Sequence, residues 1–176
     1  MSAVKYTISD FVTKRKRVWQ ERHDIEYDEM LVSAIAREIL SSPELVSQVR
    51  ARPHLLIECC FSLVDKNKRN VPFFLNEVQA DFIRQIEEHG TKKPYFILKG
   101  RQQGFTTIVT AIVLANAIVK KNFAGFTLAD RDDNTKAIFT DKAKVMYNAL
   151  PELLKPTERF NSVNELFFDK LNSSWR

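Results

Sequence analysis

Glycine is scarce in this 176-residue chain, with 4 residues, and proline is limited to 6. That shortage argues against a long disordered linker. There are 2 cysteines, adjacent at Cys59 and Cys60. Sequence neighbours rarely bridge, and no second pair exists for a disulfide framework or a zinc site. Both therefore read as small buried apolar side chains in a reducing compartment. The 3 histidines, His23, His54 and His89, stand far apart and suggest no metal cluster. The N-terminus is polar and charged, unlike a signal peptide. The longest apolar stretch, 108–119, contains Thr110 and Asn116 and is too short to span a bilayer. Internal repeats and low-complexity tracts are missing as well. A soluble, cytosolic protein is the expectation.

What is present is an ordinary globular composition, 44% hydrophobic and 28% charged, with a net charge of +5. The length suits one compact domain, or one with a small appendage. A basic balance fits a protein that meets a polyanion, though many basic proteins never do. The run Lys14-Arg15-Lys16-Arg17, followed by Trp19, could touch phosphates. The acids Glu21, Asp24, Glu26, Asp28 and Glu29 follow closely and blunt that attraction, so a solvated helix face is the simpler reading.

Residues 5–62 read as helices. Thr7 or Ser9-Asp10 caps the first, and Met30, Leu31, Ala34, Ile35, Ile39 and Leu40 keep helical spacing in the second. Ser41-Ser42-Pro43-Glu44 marks a helix start, with serine at the cap and proline in the first turn. Arg52-Pro53 opens another. The polar cluster 65–70 is the candidate boundary between a helical region, 1–70, and a second region of different texture, 71–176. A helix over 76–88 ends at Gly90. Then come a buried strand at 94–98, a polar loop, an all-round apolar helix at 105–121, a strand at 123–129, and a helix over 132–150 stopped by Pro151. Residues 166–168 form a third strand. This order predicts an α/β fold with a parallel sheet and covering helices.

The informative segment is the loop. In the phosphate-cradling pattern G-x-x-x-x-G-K-[ST], Gly104 fills the second glycine and Thr106 the hydroxyl position. Lys99 stands at the first glycine and Phe105 at the lysine, so the strict pattern fails. The physical needs are better served. A cradle requires convergent backbone N–H groups, a glycine at close approach, a helix N-terminus, a cation and a hydroxyl for Mg²⁺. Gly104 and the helix behind it, Thr106, Lys99 and Arg101 could supply these. The motif alone leaves this reading open beside a plain strand–turn–helix crossover with solvated cations.

The segment Lys99-Gly-Arg-Gln-Gln-Gly-Phe-Thr-Thr107 resembles the deviant loop of tailed-phage terminase large subunits, in which the lysine moves to the front and an aromatic residue takes its usual place. Gln79, twenty residues upstream of Lys99, is similar to that family's adenine-reading glutamine. The segments 125–130 and 164–174 are similar to its second strand and the strand pair after it. The resemblance covers roughly residues 70–174. It implies a P-loop ATPase core of the ASCE type behind a helical region, powering translocation of viral DNA. It implies an ATP site of Gln79, Lys99, Gly100, Arg101, Gln102, Gln103, Gly104, Phe105, Thr106 and Thr107. In it, Lys99 meets the β- and γ-phosphates, Arg101 serves as a second phosphate contact or a cation on transition-state charge, and Thr106 ligates Mg²⁺. The implied partners are double-stranded DNA, a portal protein, a small terminase subunit and sister copies in a ring, in a host cytoplasm. Asp169 is followed by Lys170 where a catalytic glutamate would stand, so it reads as a surface acid, and the chain as the front portion of a longer enzyme, inactive alone. A helicase-like translocase and a non-catalytic interaction module are the alternatives.

Overall fold

The computed structural model describes residues 6–92, 94–98, 100, 103–162 and 165–176, with residues 160 and 161 described as backbone only. The protein is mixed α/β, 60% helical, with small sheets. Helix α1 (Ile8–Arg22) starts at Thr7, whose hydroxyl accepts from the Asp10 N–H at 3.3 Å while the Asp10 carboxylate accepts from the Thr7 N–H at 2.7 Å. This reciprocal cap satisfies two otherwise orphaned donors. Helix α2 (Ile25–Ser41) is capped by Asp24, and α3 (Pro43–Ala51) begins with Ser42 at the cap and proline at its first position. Helix α4 (Leu55–Cys60) is short and buries Leu56, Ile57 and both cysteines.

The basic run 14–17 is not a uniformly solvated face. Ile8, Phe11 and Arg15 share the buried stripe of α1, and Arg15 is 0% exposed. Its Nε and Nη2 donate to the two Asp28 carboxylate oxygens at 2.9 and 2.6 Å. Nη1 donates to the carbonyls of Glu58 and Phe61 at 3.2 and 2.9 Å, and Nη2 also donates to Ser62 Oγ at 3.1 Å. A guanidinium has five N–H donors, and these five bonds use them all. Sequence reading missed this because a buried arginine looks like its exposed neighbours until its acceptors are known.

The chain leaves α4 into a hairpin of β1 (Ser62–Val64) and β2 (Asn70–Pro72). The polar cluster expected at a boundary is the tip of this hairpin, where the Asp65 carboxylate accepts from the Asn67 and Arg69 N–H groups at 2.7 and 2.9 Å. Helix α5 (Glu77–His89) runs from an Asn76 cap to Gly90, which takes a φ of 69°. Helix α6 (Phe105–Val119) is the core helix, burying Phe105, Ile108, Ala111, Leu114, Ala115 and Ile118 among others. Strand β3 (Ala124–Gly125) lies beside it. A Cβ on Gly125 would come within 2.8 Å of Val113 Cγ1, so glycine is what lets strand and helix approach. Helix α7 (Asp132–Ile138) passes through one π-helical turn, Phe139–Ala143, into α8 (Lys144–Asn148). Strands β4 (Glu158–Ser162), β5 (Glu165–Phe168) and β6 (Ser173–Trp175) complete a sheet ordered β3-β6-β5-β4.

Three expectations need correction. The sheet is mixed: only β3 and β6 run parallel, while β4–β5 and β5–β6 are antiparallel. Residues 94–98 are irregular, and Phe96 is 94% exposed. The strand expected over 123–129 shrinks to two residues, leaving Phe126 and Leu128 on the surface. A strand exists through hydrogen bonds to a neighbour, and among the described residues no strand pairs with 94–98. Beyond Gly125 the ladder is reduced to one bond, from the Thr127 N–H to the Arg176 carbonyl at 2.7 Å. Among the described residues no helix is long and apolar enough to cross a membrane.

Asp28→Ala should destabilise the protein by about 3–5 kcal/mol, because it leaves Arg15 charged, buried and short of acceptors. The paired replacement Arg15→Met with Asp28→Leu should cost less than either single change, as measured by urea unfolding. Cys59 and Cys60 are both fully buried, with sulfurs 3.5 Å apart. The hydrogen bond to Cys60, then burial, pushes the Cys59 thiol well above its ordinary value. A thiol reagent should therefore label neither cysteine in the native protein and both in denaturant, since the thiolate is the reactive form. Rapid native labelling would contradict this packing.

Candidate functional site

The start of α6 meets the start of α5. Gly104 caps α6 with a φ of 72°, in the left-handed region, and its side-chain-free position leaves room for Gln79. A Cβ there would lie 2.6 Å from Gln79 Nε2. Gln79 is held from both sides. Its Oε1 accepts from the Asn76 N–H at 3.2 Å, half of a reciprocal cap on α5. Its Nε2 donates to the Gly104 carbonyl at 3.1 Å. The Asn76 amide also reaches the Gln103 carbonyl at 3.5 Å. An amide side chain has two N–H groups and two oxygen lone pairs, so these contacts leave Gln79 one of each. The sequence carried a signal for the cap, an Asn followed three residues later by Gln at a helix start. It gave no sign of the bond to Gly104.

Phe105, in the position where a phosphate loop usually has lysine, packs inward. It is buried, and its ring meets the edge of Phe82 with centroids 5.4 Å apart. Thr106 and Thr107, about 100° apart around α6, then border different clefts. Thr106 is exposed and borders a cleft of about 290 Å³ with Ile97, Val109, Thr127 and Leu128. Thr107 borders a cavity of about 200 Å³ shared with Gln79, Gly104, Lys142 and Met146. Gly100 and Gln103 lie on the described part of the loop, and Lys99, Arg101 and Gln102 lie outside the described residues.

No protein-family model matches the chain, and no curated protein matches it. The site therefore stands on its own geometry. One residue that sequence reading did not single out belongs to it. Lys142 donates from Nζ to Thr107 Oγ1 at 3.2 Å, across 35 residues of chain. Among the described residues no carboxylate lies within ion-pair distance of Lys142, whereas Lys16, Lys136 and Lys155 each have one. No spacing in the sequence links it to Thr107.

The acids contribute less. Asp169 follows β5, is exposed and pairs with Arg159 at 3.6 Å, as expected of a surface acid. The cleft beside Thr106 has no carboxylate among the described residues that line it. Among the described residues no group of three or more His, Cys, Asp or Glu is placed to hold a metal ion.

Gly104→Ala should lower stability by about 1–3 kcal/mol, because alanine strains at this φ and collides with Gln79. Measured against Gln79→Ala, which loses the cap and the bond to Gly104 by itself, the same glycine replacement should cost less by the part due to collision. No difference in denaturant unfolding between Gln79→Ala and the double variant would show that the backbone conformation carries no cost.

Proposed function

We propose that the protein binds ATP at the 99–107 loop and serves a DNA-translocating motor of the terminase kind, on a P-loop core. The observation that carries the reading is the start of α6: a helix N-terminus headed by a left-handed glycine, with close backbone approach, next to Gln79. The first N–H groups of an α-helix have no partner within the helix and carry partial positive charge, so an anion is stabilised there. Glycine at position 104 lets Gln79 pack directly against the backbone at this helix start. The loop sequence adds the charges that this backbone lacks. Lys99 is assigned to the β- and γ-phosphates and Arg101 to a second phosphate contact, because Phe105 is turned into the core and has no charge to offer.

The base end of the nucleotide is assigned to Gln79. Its remaining N–H and lone pair match the donor and acceptor pair on an adenine edge. Mg²⁺, when bound, would supply positive charge against the phosphates. The exposed Thr106 hydroxyl fits as one protein ligand, in keeping with the few protein oxygens that Mg²⁺ takes beside phosphates and waters. The acidic ligand usual in such sites is not among the described residues lining that cleft, so the chain's own part is binding and orientation. In a packaging motor the partners would be double-stranded DNA, a portal protein, a small subunit and further copies.

A non-catalytic interaction module is the second reading, supported by Phe96, Leu98, Phe126 and Leu128 on the surface. Calorimetric titration of the chain with Mg·ATP separates the two. The expected result is saturable binding. Lys99→Ala should weaken it by roughly ten- to a hundredfold, since a contact to a charged group is worth about 1.5–3 kcal/mol. Phe105→Leu should keep most of the affinity, because its role is apolar packing. A folded wild-type chain that takes up no nucleotide would favour the interaction module. Unchanged affinity in Lys99→Ala would move the cation's role to Arg101.

A further inference from the structure

We infer that Lys142 is a phosphate-binding cation for the nucleoside end of the phosphate chain, an assignment that rests on the nucleotide site proposed above. Its Nζ donates to Thr107 Oγ1 at 3.2 Å, in the first turn of α6. An ammonium carries three donors, and one is used here. The side chain is half-buried, which restrains it and limits solvent screening. Its neighbour Asp141 lines the same cavity, but that carboxylate is exposed and accepts from the Thr140 hydroxyl at 2.9 Å rather than from Lys142.

The position of Lys142 arises from a local irregularity. Residues Phe139–Ala143 form a π-helical turn between α7 and α8. Such a turn inserts a residue into the helix and shifts the facing of the residues after it, and it often occurs at functional sites. Here Phe139 and Ala143 both remain buried while Lys142, between them, reaches α6.

The end of the phosphate chain is set by the order of groups along the cavity. Gln79, assigned to the base, borders the same cavity as Thr107 and Lys142. Thr106, assigned above to Mg²⁺, borders a different cleft. Lys142 therefore lies on the base side of α6, where the phosphate attached to the ribose would pass. A contact there is shared by ATP and ADP, whereas a contact to the terminal phosphate belongs to ATP alone.

The test is titration of the full chain with Mg·ATP and Mg·ADP, for wild type, Lys142→Gln and Lys142→Arg. Lys142→Gln keeps a donor for Thr107 and removes the charge, so the fold should survive, with circular dichroism as the control. Affinity for ATP and for ADP should fall by the same factor, about tenfold, and Lys142→Arg should restore most of it. Lys142→Met is the second variant should the glutamine fail to fold, with the same expected loss. Unchanged affinity for both nucleotides overturns the assignment while leaving the nucleotide site intact. A loss confined to ATP also overturns it, because the cation would then face the terminal phosphate. A wild-type chain that binds neither nucleotide sinks the site itself, and this inference with it.

Discussion

The guanidinium of Arg15 fastens four elements through five hydrogen bonds. It joins α1 to α2 through Asp28, takes the carbonyls of Glu58 and Phe61 at the end of α4, and reaches Ser62 where β1 starts. Those carbonyls are among the acceptors that a helix leaves unpaired at its C-terminus, and burying them without donors would be costly. The short α4 can therefore end inside the protein. Because it does, β1 leaves at a fixed angle, β2 returns antiparallel, and Phe73 is buried with its N–H bonded to the Phe61 carbonyl at 3.0 Å. The start of α5, and with it Asn76 and Gln79, is placed by this chain of constraints rather than by the sequence around it.

The same logic gives the candidate site its rigidity. Gln79 caps its own helix and at the same time grips the backbone of Gly104. Two polar contacts therefore connect the start of α5 to the α6 loop, both to main-chain carbonyls, those of Gln103 and Gly104. A ligand at the helix start would meet an already oriented backbone, so less ordering entropy opposes binding. Lys142 adds a tie from a third element, the π-helical turn, to the same first turn of α6.

The helices were legible in the sequence because their signals are local. Ser42-Pro43, Asn76 and Gly90 specify helix ends through their own backbone chemistry, and the structure places each end within a few residues of the expected point. The burial of α6 was legible for the same reason, from a helix apolar nearly all round. The strands were not legible, because strand formation depends on a partner elsewhere. Phe-Ile-Leu at 96–98 has strand composition but no described neighbour, while Ser173–Trp175, with little apolar pattern, pairs on both edges. Long-range polar contacts were equally hidden. Neither the Arg15–Asp28 pair nor Lys142–Thr107 leaves a periodic trace, since each joins side chains from separate elements.

Helix α6 ends up as a partition, which bears on how the chemistry would be divided. On one side lie Gln79, Thr107 and Lys142, polar groups that can orient and hold a ligand. On the other lies Thr106, above a wall made by Ile97, Val109 and Leu128. Leu128 and much of that wall are open to solvent, so a charge contact formed at Thr106 would be screened by water, whereas one formed at the half-buried Lys142 would be screened less.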